Sequence, residues 1–421
     1  MFYLNTFAMK CRVIVFCLFA LYSASCAKGP KPGEENENTQ PAPVIELTPG
    51  EARVASSGNS IAFKLLGMIE EEGNFMISPL SLNFAMAMAW NGAAGNTAGQ
   101  IQKALGFPQE SPFDVNLYFK KLSASLPSAD PASLLFIANS VWYKSDFPVK
   151  EGFLQINKQW FNALVTPLDF SKEQESLKAI NEWCSKNTDK KIDKILDQIK
   201  PNEVMFLVNA LYFKAPWKTK FDPKSTLPLK FNLDGGGSVD VPAMYKRFKV
   251  EYNNGEKYRA VTLPFGNGAF KMTIILPGEE LGVADLYAEL ATAGAWENIT
   301  QKSDSAQLGI YLPKFKFSTT LEFNDKLKML GITDAFDGNA NFSNIADYPQ
   351  GDLRISKVLQ KTVIEINEEG GEAAAVTSVG FDLTSVNPDR DFRANKPFLF
   401  VIWEQSTGTI LFTGKVANPL N

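Results

Sequence analysis

The chain has 421 residues, with 42 Lys and Arg, 46 Asp and Glu, and no histidine. The missing histidine excludes a Ser-His-Asp triad, a Cys-His dyad and histidine metal sites, so the chemistry of a conventional hydrolase is not expected. The net charge of −4 gives no general attraction to nucleic acid, and the mean hydropathy of −0.11 excludes a polytopic membrane protein.

The N-terminus has the pattern of an export signal. Two basic residues precede an apolar run of about ten residues, Val13–Tyr22, which has the length of a signal-peptide core and is too short to span a bilayer. Small residues then lead to Cys26. This pattern is typical of a bacterial lipoprotein signal, in which residues 1–25 are removed and Cys26 is lipidated; a plain secretory signal cleaved nearby is the alternative.

The residues after Cys26 predict a tether. Residues 27 to about 44 have almost no apolar content, which is typical of a disordered segment. We therefore assign 26–49 to the lipidated cysteine and its tether. No repeat or second linker interrupts 50–421, which predicts a single domain. The sequence thus predicts an exported protein, anchored by lipid at the outer membrane or cell surface of a Gram-negative bacterium.

Helical patterns come first along the body. Apolar residues recur at helical spacing between Ile61 and Ile69. Ser81 is predicted to cap a helix that carries the apolar run 82–90 and ends at Asn91-Gly92. A third amphipathic helix is predicted over 176–186.

Strand patterns dominate later. The apolar run Phe206–Phe213 predicts a strand buried on both faces. Tyr258–Leu263 and Phe270–Leu276 predict paired strands joined by a glycine-rich turn. Further strand patterns follow at 363–366, 398–403 and 409–412. Helices early and strands late within one domain predict the α+β class.

The segment 368–391 shows little helical pattern and is long for a connection in a compact domain, which favours a functional or disordered segment. Its first half has no proline; as a strand, it would place only uncharged side chains, such as Ala373 and Ala375, on one face. Its second half, 387–391, is predicted to stay out of a sheet because of Pro388. On composition alone, a flexible Ala/Gly linker is the alternative.

Residues 368–375, Glu-Glu-Gly-Gly-Glu-Ala-Ala-Ala, resemble the hinge of the serpins, the large serine-protease-inhibitor family. Other serpin-like stretches follow the family's order, and together they cover about residues 50–421. They are Asn74–Ser81, Gly92–Thr97, Asn181–Trp183, Phe206–Trp217, Leu312–Phe315, Asn395–Phe400 and Phe412–Pro419. The number and order of these stretches override the linker interpretation.

The resemblance implies a serpin fold with three β-sheets, eight or nine helices and an exposed reactive-centre loop. It implies a suicide-substrate inhibitor of serine proteases, with cysteine proteases as a second class. A protease cuts the loop and forms an acyl-enzyme, and the loop then inserts into the central sheet and traps it. We expect no enzymatic activity, no cofactor, no metal, no nucleic-acid partner, and a monomer that forms covalent protease complexes. A non-inhibitory binding protein with the same fold is the alternative.

The resemblance also assigns site residues. Glu368 is expected to pair with Lys314 beside Trp217 and to hold the loop closed, against the alternative of a surface ion pair contributing about 0–1 kcal/mol. The remaining hinge positions and the polar cluster under the sheet are Gly370, Gly371, Ala373, Ala374, Ala375, Ser78, Ser81, Asn209 and Gln360.

Two positions depart from the family pattern. Gln360 stands where the cluster usually has a histidine, and an amide can both donate and accept hydrogen bonds. Gly371 stands where the first inserting residue is usually Thr or Ser. Because glycine loses more backbone entropy on ordering, we expect slower insertion.

The family's spacing also predicts the scissile bond. Counting 16 residues from Glu368 gives Thr384-Ser385, which we favour. Counting 11 residues back from Pro397 gives Val386 instead, which leaves Val386 and Leu383 as alternatives. Leucine suits a chymotrypsin-like pocket, whereas threonine and valine suit an elastase-like one. The first basic residue after the hinge, at position 390, is too far along for efficient insertion, so trypsin-like targets are disfavoured.

Overall fold

The computed structural model describes residues 40–108, 112–292, 294–371 and 391–421. Several sequence-based assignments therefore lie outside the described residues. These are the signal peptide, Cys26, most of the tether, the hinge residues Ala373, Ala374 and Ala375, and the scissile-bond candidates Leu383, Thr384, Ser385 and Val386.

The described residues contain nine α-helices, which agrees with the predicted eight or nine. Their bounds are α1 (Pro49–Leu66), α2 (Pro79–Gly92), α3 (Gly95–Ala104), α4 (Pro112–Ser125), α5 (Glu151–Phe161), α6 (Glu173–Lys186), α7 (Val283–Leu290), α8 (Ala295–Gln301) and α9 (Asn324–Met329). Within the described ranges, no helix is both long enough and apolar enough to cross a bilayer.

Fifteen strands lie within the described residues. They are β1 (Phe75–Ile77), β2 (Leu134–Lys144), β3 (Leu164–Leu168), β4 (Met205–Pro216), β5 (Leu227–Asn232), β6 (Ser238–Asn254), β7 (Tyr258–Pro264), β8 (Phe270–Pro277), β9 (Asp304–Pro313), β10 (Phe315–Glu322), β11 (Leu359–Asn367), β12 (Gly370–Gly371), β13 (Asp391–Arg393), β14 (Phe398–Glu404) and β15 (Ile410–Val416).

The strands join into two hydrogen-bonded sheets in the described part of the chain, rather than the three expected. The smaller sheet has the order β10-β11-β12-β4-β2-β3. The larger has the order β1-β15-β14-β8-β7-β6-β9-β13, with β5 paired to β6. The 17-residue β6 causes the merger, because it pairs with β5 near its start, with β9 along its middle and with β7 at its end. The α+β class itself is confirmed.

The central strand β4 is covered on both sides, as the apolar run predicted. Val208 and Ala210 pack with Ile180 and Cys184 of α6. Leu211 belongs to the main hydrophobic core. Hydrophobic burial on both faces therefore fixes this strand at the centre of the smaller sheet.

The start of α2 differs from the prediction. Ser78, not Ser81, is the N-cap, because the Ser78 Oγ accepts the N–H of Ser81 at 3.1 Å. Pro79 follows as the first helical residue. Proline suits this position because it has no N–H to leave unpaired and its φ is already helical. The N-cap therefore lies three residues before the predicted one.

The packed body begins earlier than the predicted boundary at residue 50. Ile45 is buried in the core, and its N–H donates to the Ser406 Oγ at 2.9 Å. Thr48 and Glu51 form a capping box at the start of α1. Ala42 and Leu47 also pack against the core, so apolar contacts and a helix cap order the last part of the segment 26–49 that we assigned to the tether.

Candidate functional site

The hinge turns back into the sheet directly after β11. Chain reversal at residues 368–369 leads into β12, which pairs antiparallel with β11 on one edge and with β4 on the other. Gly371 lies opposite Ile366 and Ala215. In the described residues, β11 and β4 form no ladder with each other. The two strands are therefore separated, at this level, by the width of one strand.

The two hinge glycines have different constraints. Gly370 has φ +141°, and a Cβ there would lie 2.2 Å from the carbonyl oxygen of Ala215. Only glycine fits at that position. At Gly371 the nearest atoms to a Cβ would be 3.8 Å away, which is ordinary contact. A small side chain is therefore tolerated at Gly371.

Glu368 is held by several groups at the top of the sheet. The side chain is nearly buried, and its Oε2 lies 3.1 Å from the Lys314 Nζ. The Thr226 hydroxyl donates to Oε1 at 2.7 Å. The Glu368 carbonyl accepts the N–H of Phe221 at 3.1 Å. Because the carboxylate is desolvated and satisfied on both oxygens, this pair differs from an exposed surface pair. The expected ion pair is present, while its role in holding the loop stays a prediction.

Trp217 fastens the end of β11 to the exit of β4. Its indole is buried, and Nε1 donates to the Asn367 carbonyl at 2.8 Å. The ring stacks on Phe265 with a centroid distance of 4.5 Å. Its backbone N–H donates to the Glu369 carbonyl at 2.8 Å. Trp217 therefore lies next to the Glu368 contacts, as the resemblance implied.

The polar cluster is built around one amide. The N–H of Ser78 donates to the Gln360 Oε1 at 2.8 Å, and the Gln360 Nε2 donates to the Ser78 carbonyl at 2.8 Å. The Ser78 Oγ also donates to the Leu411 carbonyl at 2.7 Å. Gln360 thus uses both ends of its amide on one residue. A neutral side chain completes the network in this chain.

Asn209 does not join that network. Its Nδ2 donates to the Asn139 Oδ1 on β2 at 2.7 Å, while its buried Oδ1 accepts no hydrogen bond from the described residues. A cavity of about 290 Å³ is lined by Asn209, Ser81 and Gln360, among others. The predicted cluster is therefore divided, with Asn209 on β4 and Ser78 and Gln360 bonded to each other.

A second anchor holds the chain where it leaves the loop. β13 pairs in parallel with β9, and the Asp391 side chain, fully buried, forms ion pairs with Arg247 and Arg393. Arg259 donates to the Asp391 carbonyl at 2.8 Å. Gly309 leaves room for this carboxylate, because a Cβ there would lie 2.4 Å from the Asp391 Oδ1.

The prediction that 387–391 stays out of a sheet is wrong for Asp391, which opens β13. Pro388 lies three residues before Asp391, so its missing N–H does not prevent Asp391 from pairing in a strand. The two arginines offset the cost of burying the Asp391 carboxylate. Sequence reasoning missed the anchor because Arg247 and Arg259 lie more than a hundred residues earlier in the chain.

A family model described as "Serpin (serine protease inhibitor)" matches residues 56–419. The chain belongs to the serpin family. The family is described by protease inhibition and not by an enzymatic activity, so the prediction that this serpin is not an enzyme is confirmed.

Individual relatives show how this serpin compares across its length. It is 32% identical over 368 residues to the leukocyte elastase inhibitor of Equus caballus, covering 85% of this chain and 96% of that one. The thermophilic serpin tengpin in its native state superposes with a TM-score of 0.79 at 32% identity, covering 90% and 97% of the two chains. Human thyroxine-binding globulin complexed with its hormone gives a TM-score of 0.78 at 27% identity, covering 88% and 99%.

The free thiol among the described residues, that of Cys184, has no catalytic character. Cys184 lies on the buried face of α6, and burial raises the pKa of its thiol to about 12. The thiol therefore stays protonated at neutral pH and is a poor nucleophile. The described residues also contain no group of side chains able to hold a metal ion.

Replacing Gln360 with histidine is expected to make the stability of this serpin depend on pH. A neutral imidazole can accept from the Ser78 N–H, whereas imidazolium cannot, so the fold depresses the pKa of the introduced group. Stability is then present above about pH 7 and falls by about 1 kcal/mol as the pH falls toward 5. Thermal unfolding of the variant and wild type at both pH values measures this. The same substitution at exposed Gln350 is the control, and equal pH profiles for Gln360→His and wild type would refute the assignment.

Replacing Asp391 with asparagine is expected to loosen β13. The change keeps the shape but removes the charge that faces Arg247 and Arg393, at a cost of about 1–2 kcal/mol. Amide hydrogen exchange at residues 391–393 should become roughly tenfold faster. Asp304→Asn, an exposed residue at the start of β9, is the control. Unchanged exchange in Asp391→Asn would show that the strand is held by its backbone alone.

Proposed function

We propose that this serpin is a suicide-substrate inhibitor of serine proteases that traps the acyl-enzyme by inserting its cut loop between β11 and β4. The observation that carries the proposal is β12. Gly370 and Gly371 already lie between these strands and pair with both of them. A strand continued from Gly371 would therefore start in register with both edges.

Continuing that register places small residues over the core. Ala373 would lie opposite Phe213 and Ile364, two steps beyond the pairs that Gly371 makes. Ile364 and Ile366 are buried, so this face of the new strand is directed at the core. At positions 373, 375 and 377 its side chains are small and uncharged, so they fit there at little steric cost. Glu372, one residue earlier, would face the opposite side.

The same register gives Asn209 a partner. Thr377 would lie opposite both Asn209 and Gln360. Its hydroxyl can donate to the Asn209 Oδ1, which accepts no hydrogen bond from the described residues. Insertion would therefore satisfy a buried acceptor and place a strand beside the cavity of about 290 Å³.

The energetics favour insertion once the loop is cut. A strand of about a dozen residues gains ladder hydrogen bonds on both edges, and at roughly 1 kcal/mol each the gain is on the order of 10 kcal/mol. The uncut state is held above this minimum by a kinetic barrier, because an intact loop is tied at both ends. The ion pair of Glu368 with Lys314 holds one end of the loop, and the ion pairs of Asp391 with Arg247 and Arg393 hold the other.

We propose an elastase-like target, with Thr384-Ser385 as the scissile bond. The small side chain of Thr384 supports this, as does the likeness to a leukocyte elastase inhibitor. We expect an SDS-stable complex with elastase and a released C-terminal peptide that begins at Ser385. Mass spectrometry after incubation with elastase, chymotrypsin and trypsin measures both outcomes. Peptides beginning at Thr384 or Asn387 would assign Leu383 or Val386 instead, and a cut at Arg390 alone would refute a non-tryptic target.

The second candidate is a non-inhibitory binding protein, favoured by the likeness to thyroxine-binding globulin. The two candidates differ in the fate of the cut loop. An inhibitor gains thermal stability after cleavage because a strand is added to the sheet. A carrier whose loop stays outside gains none.

We propose, in addition, that the protein is an exported bacterial lipoprotein anchored through Cys26 and that it acts as a monomer. The signal-like segment before Cys26 supports the anchor. Metabolic labelling with palmitate should mark the wild-type chain and leave Cys26→Ala unlabelled. Labelling that persists in the variant would contradict this site.

A further inference from the structure

We propose that an exposed aromatic patch beside the start of the body rests on the phospholipid surface that carries the Cys26 anchor. The patch consists of the exposed side chains of Phe113 and Lys120 on α4 and of the partly buried Trp160 on α5. The inference rests on the proposed anchor and adds an orientation of the body on the membrane.

The patch has the composition of a membrane-interface contact. Phe113 is 57% exposed, and its ring meets Trp160 edge-on at a centroid distance of 5.3 Å. The Lys120 Nζ lies 5.2 Å from the Trp160 ring centroid. Two aromatic rings with a lysine beside them form a continuous surface that is apolar in its body and charged at its edge. Such a surface suits the boundary between acyl chains and headgroups.

The chain joins the body next to this patch. A Cβ on Gly50 would lie 2.4 Å from the Asp114 Cγ, so the start of α1 touches the residue after Phe113. The Lys121 Nζ donates to the Glu46 carbonyl at 2.7 Å. Residues 46–50 thus lie along α4, from Asp114 in its first turn to Lys121 in its third. The incoming segment also carries Val44, which is 75% exposed.

The length of the tether favours this face over the opposite one. Cys26 and Gln40 are 14 residues apart, which spans at most about 50 Å when fully extended. A compact body of this size has a radius of about 27 Å, so the path around it to the far side is about 80 Å. The tether is too short to let the far side of the body reach the membrane. The face where the tether joins the body therefore has the highest effective concentration at the membrane surface.

The patch itself carries a single cation. That cation is Lys120, which lies over the Trp160 ring, whereas the neighbouring Lys121 is paired with Glu51. Attraction to anionic headgroups is therefore small, and the contact depends on the aromatic rings. We expect the membrane contact to change little with salt concentration, unlike a polybasic surface.

The test uses the mature chain, coupled at Cys26 to a maleimide-bearing lipid in vesicles of phosphatidylethanolamine and phosphatidylglycerol. Cys184 is buried and unreactive, so coupling is directed to Cys26. Brominated acyl chains in the vesicles quench tryptophans that reach the interface. Wild-type fluorescence should fall, and Trp160→Phe should remove at least two thirds of that fall. Trp183→Phe, a partly buried tryptophan on α6, is the matched control and should retain it.

A second variant separates contact from folding. Phe113→Ser should weaken the quenching at least threefold while inhibition of the protease stays unchanged, and Met329→Ser, an equally exposed apolar residue on α9, should not. Quenching that is absent, or equal in Trp160→Phe and wild type, would overturn the proposal. So would dimerisation that depends on Phe113, because the patch would then cover a second copy. Chemical coupling makes these outcomes independent of whether Cys26 carries lipid in the cell, which palmitate labelling decides separately.

Discussion

Gly371→Arg is expected to convert the inhibitor into a substrate that is cut and released. Gly371 lies between Ile366 and Ala215, both buried, on the face that an inserting strand must direct at the core. An unpaired guanidinium on that face costs several kcal/mol. Insertion then becomes slower than deacylation, so the protease is released before it is trapped. The yield of SDS-stable complex should fall at least tenfold, while cleavage of the loop continues at a rate similar to wild type.

Gly371→Ala is the matched control for this experiment. A Cβ there meets its nearest atoms at 3.8 Å, so alanine is accommodated and removes backbone entropy from the free hinge. Complex yield should be retained or increased. If Gly371→Arg still forms covalent complexes at the wild-type yield, insertion through this hinge is wrong.

Glu368→Lys is expected to give the largest loss of stability among the site variants. It removes a carboxylate that is nearly buried and places a cation beside Lys314 and the Thr226 hydroxyl. Breaking a buried pair costs about 3–5 kcal/mol, which we lower to about 3 kcal/mol because Lys314 is partly exposed. Inhibitory activity should decay about a hundredfold faster on incubation, since each 1.4 kcal/mol is about tenfold.

Two variants test whether the effect depends on the position of the charge change and on the pairing of opposite charges. Glu369→Lys changes the neighbouring glutamate, whose partner Lys220 and own side chain are both about 40% exposed, so it should cost less than about 1 kcal/mol. The double exchange Glu368→Lys with Lys314→Glu restores opposite charges and should recover part of the loss. Equal decay in Glu368→Lys and Glu369→Lys would assign the effect to general surface charge.

The hinge was predictable because its constraints are local. Glu368 and the small residues that follow it are adjacent in the sequence, so the hinge can be recognised locally. The resemblance to the family then supplies its distant partners, such as Lys314. Glu368 with Lys314, Trp217 beside them, and Ser78 bonded to Gln360 all occur as expected. The role of each in inhibition remains a prediction that the variants test.

What escaped prediction depends on tertiary contacts. Asp391 enters a strand only because arginines from β6 and β7 converge on it and Gly309 leaves space. Two of the three expected sheets join because β6 is long enough to pair with β5, β7 and β9. No local sequence pattern predicted a strand of that length. The packing of residues 42–47 depends on Ala42, Ile45 and Leu47 contacting the core and on the hydrogen bond from the Ile45 N–H to Ser406. In each case the partner lies far away in the sequence.

The most direct test of the account is the thermal unfolding midpoint before and after a single cut in the loop. A gain on the order of 10 kcal/mol, spread over the unfolding entropy of about 370 residues, predicts a rise of about 10 °C or more. Cleavage by a protease that is not trapped isolates this effect from complex formation. A midpoint that stays unchanged or falls after cleavage would contradict insertion of the loop between β11 and β4.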